Sequence, residues 1–197
     1  MTAPDLTRRL LLAAAGALAA RPAWAQPVRT RVRLETEKGV IVVELADDKA
    51  PITVANFLRY VDTRRMDGAV FFRASRVPGW PNIGFVQAGV RDPAKLFAPI
   101  AHESTLTTGL KHLEGTLSMA SNGPGTAVAD FTISCSDSPH LDANAEFAGY
   151  AAFGQVVEGM DVVRAIHTAP SGGTADNPVM QGEILNPPIR ILTARRV

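Results

Sequence analysis

The sequence predicts one mainly β domain, in α+β rather than alternating βαβ order. Three observations lead there. Apolar runs with brief links follow in the order strand, strand, helix, strand between residues 31 and 73. Two more apolar runs, Thr116–Ala120 and Phe131–Cys135, flank a linker of small, turn-forming residues around Asn122-Gly123-Pro124-Gly125. One stretch, opening at Pro51, repeats apolar residues at helical spacing.

The first 25 residues stand outside that domain. Thr7-Arg8-Arg9 precedes an apolar run of 11 residues, Leu10–Ala20, and the small-residue site Ala23-Trp24-Ala25 follows. A positive flank, a short apolar core and an A-x-A site are the parts of an export signal. A bilayer span needs roughly 20 apolar residues, so a membrane helix is disfavoured. The pair Arg8-Arg9 with Leu11-Leu12 resembles a twin-arginine signal, although ordinary secretory signals also carry adjacent arginines. Cleavage after Ala25 predicts a periplasmic domain over residues 26–197.

Composition bounds the rest. The 197 residues are 46% hydrophobic and 20% charged, which suits a single domain with a full core. Without the signal, 17 basic and 18 acidic side chains remain, a net charge near −1. A near-neutral domain has no long-range field for nucleic acid or an anionic membrane. Cys135 is the one cysteine, so no intramolecular disulfide forms, and its apolar run suits a buried, inert thiol.

The elements follow in order. Arg31–Leu45 reads as a hairpin turning at Glu37-Lys38-Gly39. Pro51 opens a helix whose Val54, Phe57, Leu58 and Val61 share one face, and Met66-Asp67-Gly68 ends it. Ala69–Arg73 is a strand that closes on an arginine, a charge that needs solvent or a partner. Pro78-Gly79-Trp80-Pro81 argues against regular structure, as do most of Arg91–Lys111 and the pairs Gly172-Gly173 and Pro187-Pro188. Ile189–Ala194 reads as the closing strand.

The pattern G-x-L-S-M-A, G-P, D-F-x-I within Gly115–Ile133 resembles the central signature of the cyclophilins, the peptidyl-prolyl cis-trans isomerases. Phe71-Phe72-Arg73 resembles the family's F-x-R element, with Phe72 where a histidine is usual. Phe85-Val86-Gln87-Ala88-Gly89 resembles its Q-G-G element, His140-Leu141-Asp142 its aromatic-Leu-Asp element, and Tyr150–Val163 its late strand, turn and helix. His102-Glu103 fills the place of an Asn/Asp-Glu pair. The likeness runs from about Arg31 to Arg195. It implies a closed eight-stranded antiparallel β-barrel with a helix over each end.

The resemblance also implies roles. Arg73 is the catalytic donor and Gln87 its orienter. Ala120 and Ser121 offer backbone groups to the peptide. Phe85, Thr132 and Leu141 line the proline pocket, and Tyr150 takes a place often held by histidine. Arg73 and Gln87 lie 14 positions apart, a longer spacing than in a compact cyclophilin, so the Pro78–Pro81 insertion is expected beside the groove. Alignment on Gln87 leaves Gly84 at an aromatic position; a one-residue shift would return Phe85 there. Thr132 replaces a pocket-floor phenylalanine, and Asp130 replaces a glutamine and brings negative charge near Arg73.

Turning an X–Pro bond breaks no covalent bond; the barrier, roughly 18–20 kcal/mol, is lost amide resonance. A rate gain of about 10⁴–10⁶ needs roughly 5–8 kcal/mol. One charge-assisted hydrogen bond in a dry groove suits that demand, without cofactor or metal. The four histidines lack zinc-ligand spacing, Gly123-Pro124-Gly125 lacks the rest of a phosphate loop, and Ser134, Ser136 and Asp137 lie too close together for a triad. The expected protein is thus a monomeric prolyl isomerase acting on proline-containing, unfolded or exported chains. A cyclophilin-fold peptide-binding module with little turnover is the alternative that Thr132 and Asp130 raise. Arg73 and Gln87 favour the enzyme.

Overall fold

The computed structural model describes residues 29–197, so the predicted signal and its cleavage site lie outside the described residues. Nine strands make one antiparallel sheet: β1 Arg31–Thr36, β2 Gly39–Leu45, β3 Val70–Val77, β4 Trp80–Gly89, β5 Thr116–Met119, β6 Phe131–Ser134, β7 Ala152–Glu158, β8 Ser171–Gly173 and β9 Ile184–Arg196. Their order is β1-β2-β7-β5-β6-β4-β3-β9-β8, and β1 pairs again with β9. Eight strands therefore close into a barrel, and the short β8 hangs on β9. Closure pairs both edges of the eight-stranded sheet.

Strand alternation fills the interior. Val32 and Leu34, Ile41 and Val43, Val86 and Ala88, Leu117 and Met119, and Phe131 and Ile133 all turn inward and are buried. Helix α1, Pro51–Asp62, adds Phe57, whose ring lies 5.4 Å from Phe131 and 5.3 Å from Phe153. Helix α3, Met160–His167, buries Val163 and Ile166 at the opposite end of β2, where Val162 lies against Gly39. Burial pushes the Cys135 thiol up to about 12, which keeps it protonated.

A long-range contact starts α1. Ala50 at the N-cap has no capping side chain, so Glu103 supplies one from a distant loop. Its carboxylate accepts from the Ile52 and Thr53 amides at 3.1 and 2.7 Å and from Thr53 Oγ1 at 2.6 Å. A carboxylate at a helix N-terminus stabilises by about 1 kcal/mol.

Four sequence expectations change. The helix ends at Asp62, and residues 63–68 turn before β3. A third helix, the single turn α2 Thr105–Thr108, lies in the expected loop; Ser104 caps its start and Gly109, at φ 68°, its end. One turn is too short to show a periodic pattern. Pro78-Gly79 does not interrupt regular structure but joins β3 to β4, with Val77 paired to Trp80. Proline suits the first central position of such a turn, and Gly79 takes φ 81° at the second. Gly172-Gly173 and Pro187-Pro188 lie in strands rather than loops. Pairing of β3 with β9 jumps from Ile189 to Ile184, so the two prolines sit in the bulged stretch, where no ladder bond is asked of them.

Among the described residues, no helix is long and apolar enough to cross a membrane.

Candidate active site

The alternation that buries one face of β4, β5 and β6 turns the other face outward. Phe85 and Gln87, Ser118, and Thr132 with the preceding Asp130 occupy that outer face. The register sets Gln87 beside Thr132 and Thr132 beside Ser118. The result is a groove of about 690 Å³ on the barrel wall. All nine sequence-predicted residues line it: Arg73, Phe85, Gln87, Ala120, Ser121, Asp130, Thr132, Leu141 and Tyr150.

Arg73 reaches the groove through a β-bulge. Phe71 pairs with Ala88 and Arg73 with Gln87, so two residues of β3, Phe72 and Arg73, oppose one of β4. The Arg73 guanidinium is held at two nitrogens. Nη1 donates to Gln87 Oε1 at 3.1 Å, and Nε donates to Glu183 Oε2 at 2.7 Å. Its carbon lies 5.1 Å from the centre of the Phe85 ring. Any Cβ on Gly84 would stand 2.0 Å from the Ser75 carbonyl oxygen, so no side chain fits there, and Phe85 is the ring that faces the groove.

Asp130 does not pair with Arg73. Its carboxylate takes a hydrogen bond and ion pair from Arg91, whose guanidinium also lies 4.2 Å from the Phe72 ring centre. Burial pushes the Asp130 carboxyl up, and Arg91 opposes that shift. The negative charge is thus absorbed by a second arginine, which leaves Arg73 to Gln87 and Glu183.

The hydroxyls that Thr132 and Ser118 bring to the groove satisfy each other, hydrogen-bonded at 2.9 Å. The Ala120 amide is already engaged, donating to the Asp130 carbonyl at 2.9 Å. Next to Leu141 in the chain, Asp142 accepts from the buried His112 at Nδ1, 2.7 Å, and from its backbone amide at 3.0 Å. Burial lowers the His112 pKa against its bond to Asp142; burial raises that of Asp142, but the hydrogen bonds from His112 outweigh it and hold the carboxyl below its ordinary value.

The groove also has a wall that sequence reasoning missed. Asn177, Val179 and Met180, from the segment before β9, line it, and Val179 is 76% exposed. Pro78, Gly79 and Trp80 of the turn expected beside the groove are not among the lining residues. Instead, the lengthened hairpin docks on α3. Arg76 donates to the His167 and Ala169 carbonyls, each at 2.6 Å, where the helix ends with unpaired acceptors. Glu183, Ser75 and Arg91 were missed as well. None stands in a motif, and Glu183 lies 110 positions from Arg73, so no local pattern marks it.

Comparison with known proteins agrees with this geometry. Residues 31–194 match the family model of the cyclophilin type peptidyl-prolyl cis-trans isomerases. The chain is 33% identical over 171 residues to a peptidyl-prolyl cis-trans isomerase of Acinetobacter baylyi, covering 84% of this chain and 85% of that one. It is 36% identical over 154 residues to peptidyl-prolyl cis-trans isomerase B of Escherichia coli, covering 75% and 92%. The crystal structure of a Cryptosporidium parvum cyclophilin type peptidyl-prolyl cis-trans isomerase superimposes with a TM-score of 0.62 at 22% identity, covering 86% of this chain and 98% of that one. A barrel closed by β1 and β9, a groove on its outer wall and a family match across nearly every described residue give one conclusion: the chain belongs to the cyclophilin type peptidyl-prolyl cis-trans isomerases.

Proposed function

We propose that this isomerase turns X–Pro bonds of unfolded or newly exported chains by a single donor, Arg73. The observation that carries this reading is the two-sided hold on the guanidinium by Gln87 and Glu183 at the groove surface. As the amide twists, resonance is lost and the proline nitrogen regains a lone pair. A fixed N–H aimed at that nitrogen meets an acceptor that exists only in the twisted state. It therefore stabilises the transition state more than the planar substrate. Phe85, Leu141 and Thr132 hold the ring, while Ser121 and Tyr150 lie along the groove for the flanking peptide. Titration with a peptide of the Ala-Pro-Phe type, followed by amide chemical shifts, tests the site. The shifts are expected at Gln87, Ser121, Thr132 and Tyr150; shifts confined to the α3 end of the barrel would overturn it.

Periplasmic action rests on the first 25 residues, with their paired arginines, apolar run and Ala23-Trp24-Ala25 site. The mature chain is expected to begin at Gln26. N-terminal sequencing of material released from the periplasm checks this, and an intact Met1 terminus in the cytoplasm would count against export.

A further inference from the structure

We propose that Glu183 is a positioning residue for Arg73, itself set in place by Ser75. The inference rests on Arg73 as the donor and extends it to the segment before β9. An arginine head group at the end of four rotatable bonds is free to swing unless it is held at more than one point. Gln87 alone, bonded to Nη1 at 3.1 Å, would leave the guanidinium plane free to rotate about that contact. Glu183 removes this freedom by accepting from Nε at 2.7 Å, on the other side of the fork. The Arg73 side chain is 11% exposed and that of Glu183 22%, so solvent screens the pair only in part.

Glu183 is itself fixed at both ends. Its Oε1 accepts from Ser75 Oγ at 2.9 Å. Its carbonyl accepts from the Ala74 amide at 2.9 Å, and its own amide donates to the Met180 carbonyl at 3.0 Å. Arg73 and Ser75 stand two positions apart on β3, hence on one face, so a single carboxylate spans both. The hold uses Nε and Nη1. No hydrogen bond among the described residues engages Nη2, so its two N–H groups, with the second N–H of Nη1, are the donors left for the twisted amide. The carboxylate also balances the guanidinium charge, which lets the head group sit largely out of water without a free counter-ion.

A tie that merely anchors the 177–183 segment would support the fold but not the chemical step. Kinetics of cis-trans exchange in an Ala-Pro-Phe-type peptide, with mature Glu183→Ala, Glu183→Gln, Ser75→Ala and Arg73→Ala, separates these roles. Glu183→Ala is expected to lower kcat by about 10–100-fold with KM within about threefold, as for a misplaced catalytic group. Glu183→Gln still accepts from Nε and should stay within about threefold of the unmodified protein. The Nε–H resonance of Arg73 should be sharp in the unmodified and Gln proteins and exchange-broadened in Glu183→Ala. Unchanged kcat in Glu183→Ala overturns the proposal; so does equal loss in the Ala and Gln variants alongside an unaltered Nε–H resonance. If Glu183→Ala fails to fold, Ser75→Ala decides. It keeps the ion pair but frees one carboxylate oxygen, so a several-fold loss of kcat with broadening of Nε–H supports the proposal, and no change in either defeats it. Full activity in Arg73→Ala would instead defeat the donor assignment, while the Nε–H resonance still reports whether Glu183 fixes the guanidinium.

Discussion

Arg73→Ala is expected to lower kcat/KM for prolyl isomerisation by about 10²–10³-fold, the loss seen when one preorganised transition-state donor is removed. That corresponds to roughly 3–4 kcal/mol. Stability should change far less. The guanidinium lies on the outer wall of the barrel, not among the side chains of the core. Its removal leaves Gln87 Oε1 and Glu183 Oε2 without this donor, but Glu183 keeps Ser75 and remains within reach of water. The expected cost is about 1 kcal/mol, or roughly 2–4 °C in Tm for a domain of this size. Arg73→Lys should be nearly as inactive, because one ammonium cannot bond Gln87 and Glu183 in the fork geometry and still present a donor. Exchange kinetics and thermal unfolding on the same preparations check this. A folded Arg73→Ala protein of full activity would remove the arginine from the mechanism.

Thr132→Phe is expected to tighten peptide binding about 5–30-fold, or roughly 1–2 kcal/mol, by restoring apolar contact under the proline ring. Thr132 lines the groove between Gln87 and Ser118, with its hydroxyl engaged by Ser118 at 2.9 Å, so a larger ring has the groove itself to enter. The substitution strands the Ser118 hydroxyl at a cost of about 1 kcal/mol in stability, which Ser118→Ala in the same protein should relieve. The effect on rate depends on whether the ring is held equally in the planar and twisted states. A rise in kcat/KM would mean that the polar floor limits turnover. Tighter binding with lower turnover would mean that the floor is tuned for release. No change in either, in a folded protein, would show that the proline ring does not rest on Thr132.

How much of this was legible beforehand depends on the range of the interaction. Alternation along a strand is local. From Phe85-Val86-Gln87-Ala88 and Asp130-Phe131-Thr132-Ile133 alone, one residue of each pair must go to the core and the other to the outer wall. The groove residues and the closed barrel were therefore readable from the chain, with the family likeness supplying the connectivity. Pro78-Gly79 is ambiguous in the chain, because turn residues can end a strand or, as here, form a tight turn that continues the hairpin. Polar pairing obeys no such periodicity. Asp130 finds Arg91 rather than Arg73, Glu103 caps a helix 50 positions away, and Glu183 grips Arg73 across 110 positions. Each of these charges could have met several partners in the unfolded chain. Barrel closure decides which loop lies over which strand, and a charge removed from water takes whatever partner that closure brings within reach. Sequence determined which residues face the groove; tertiary structure alone decided which of them hold the arginine.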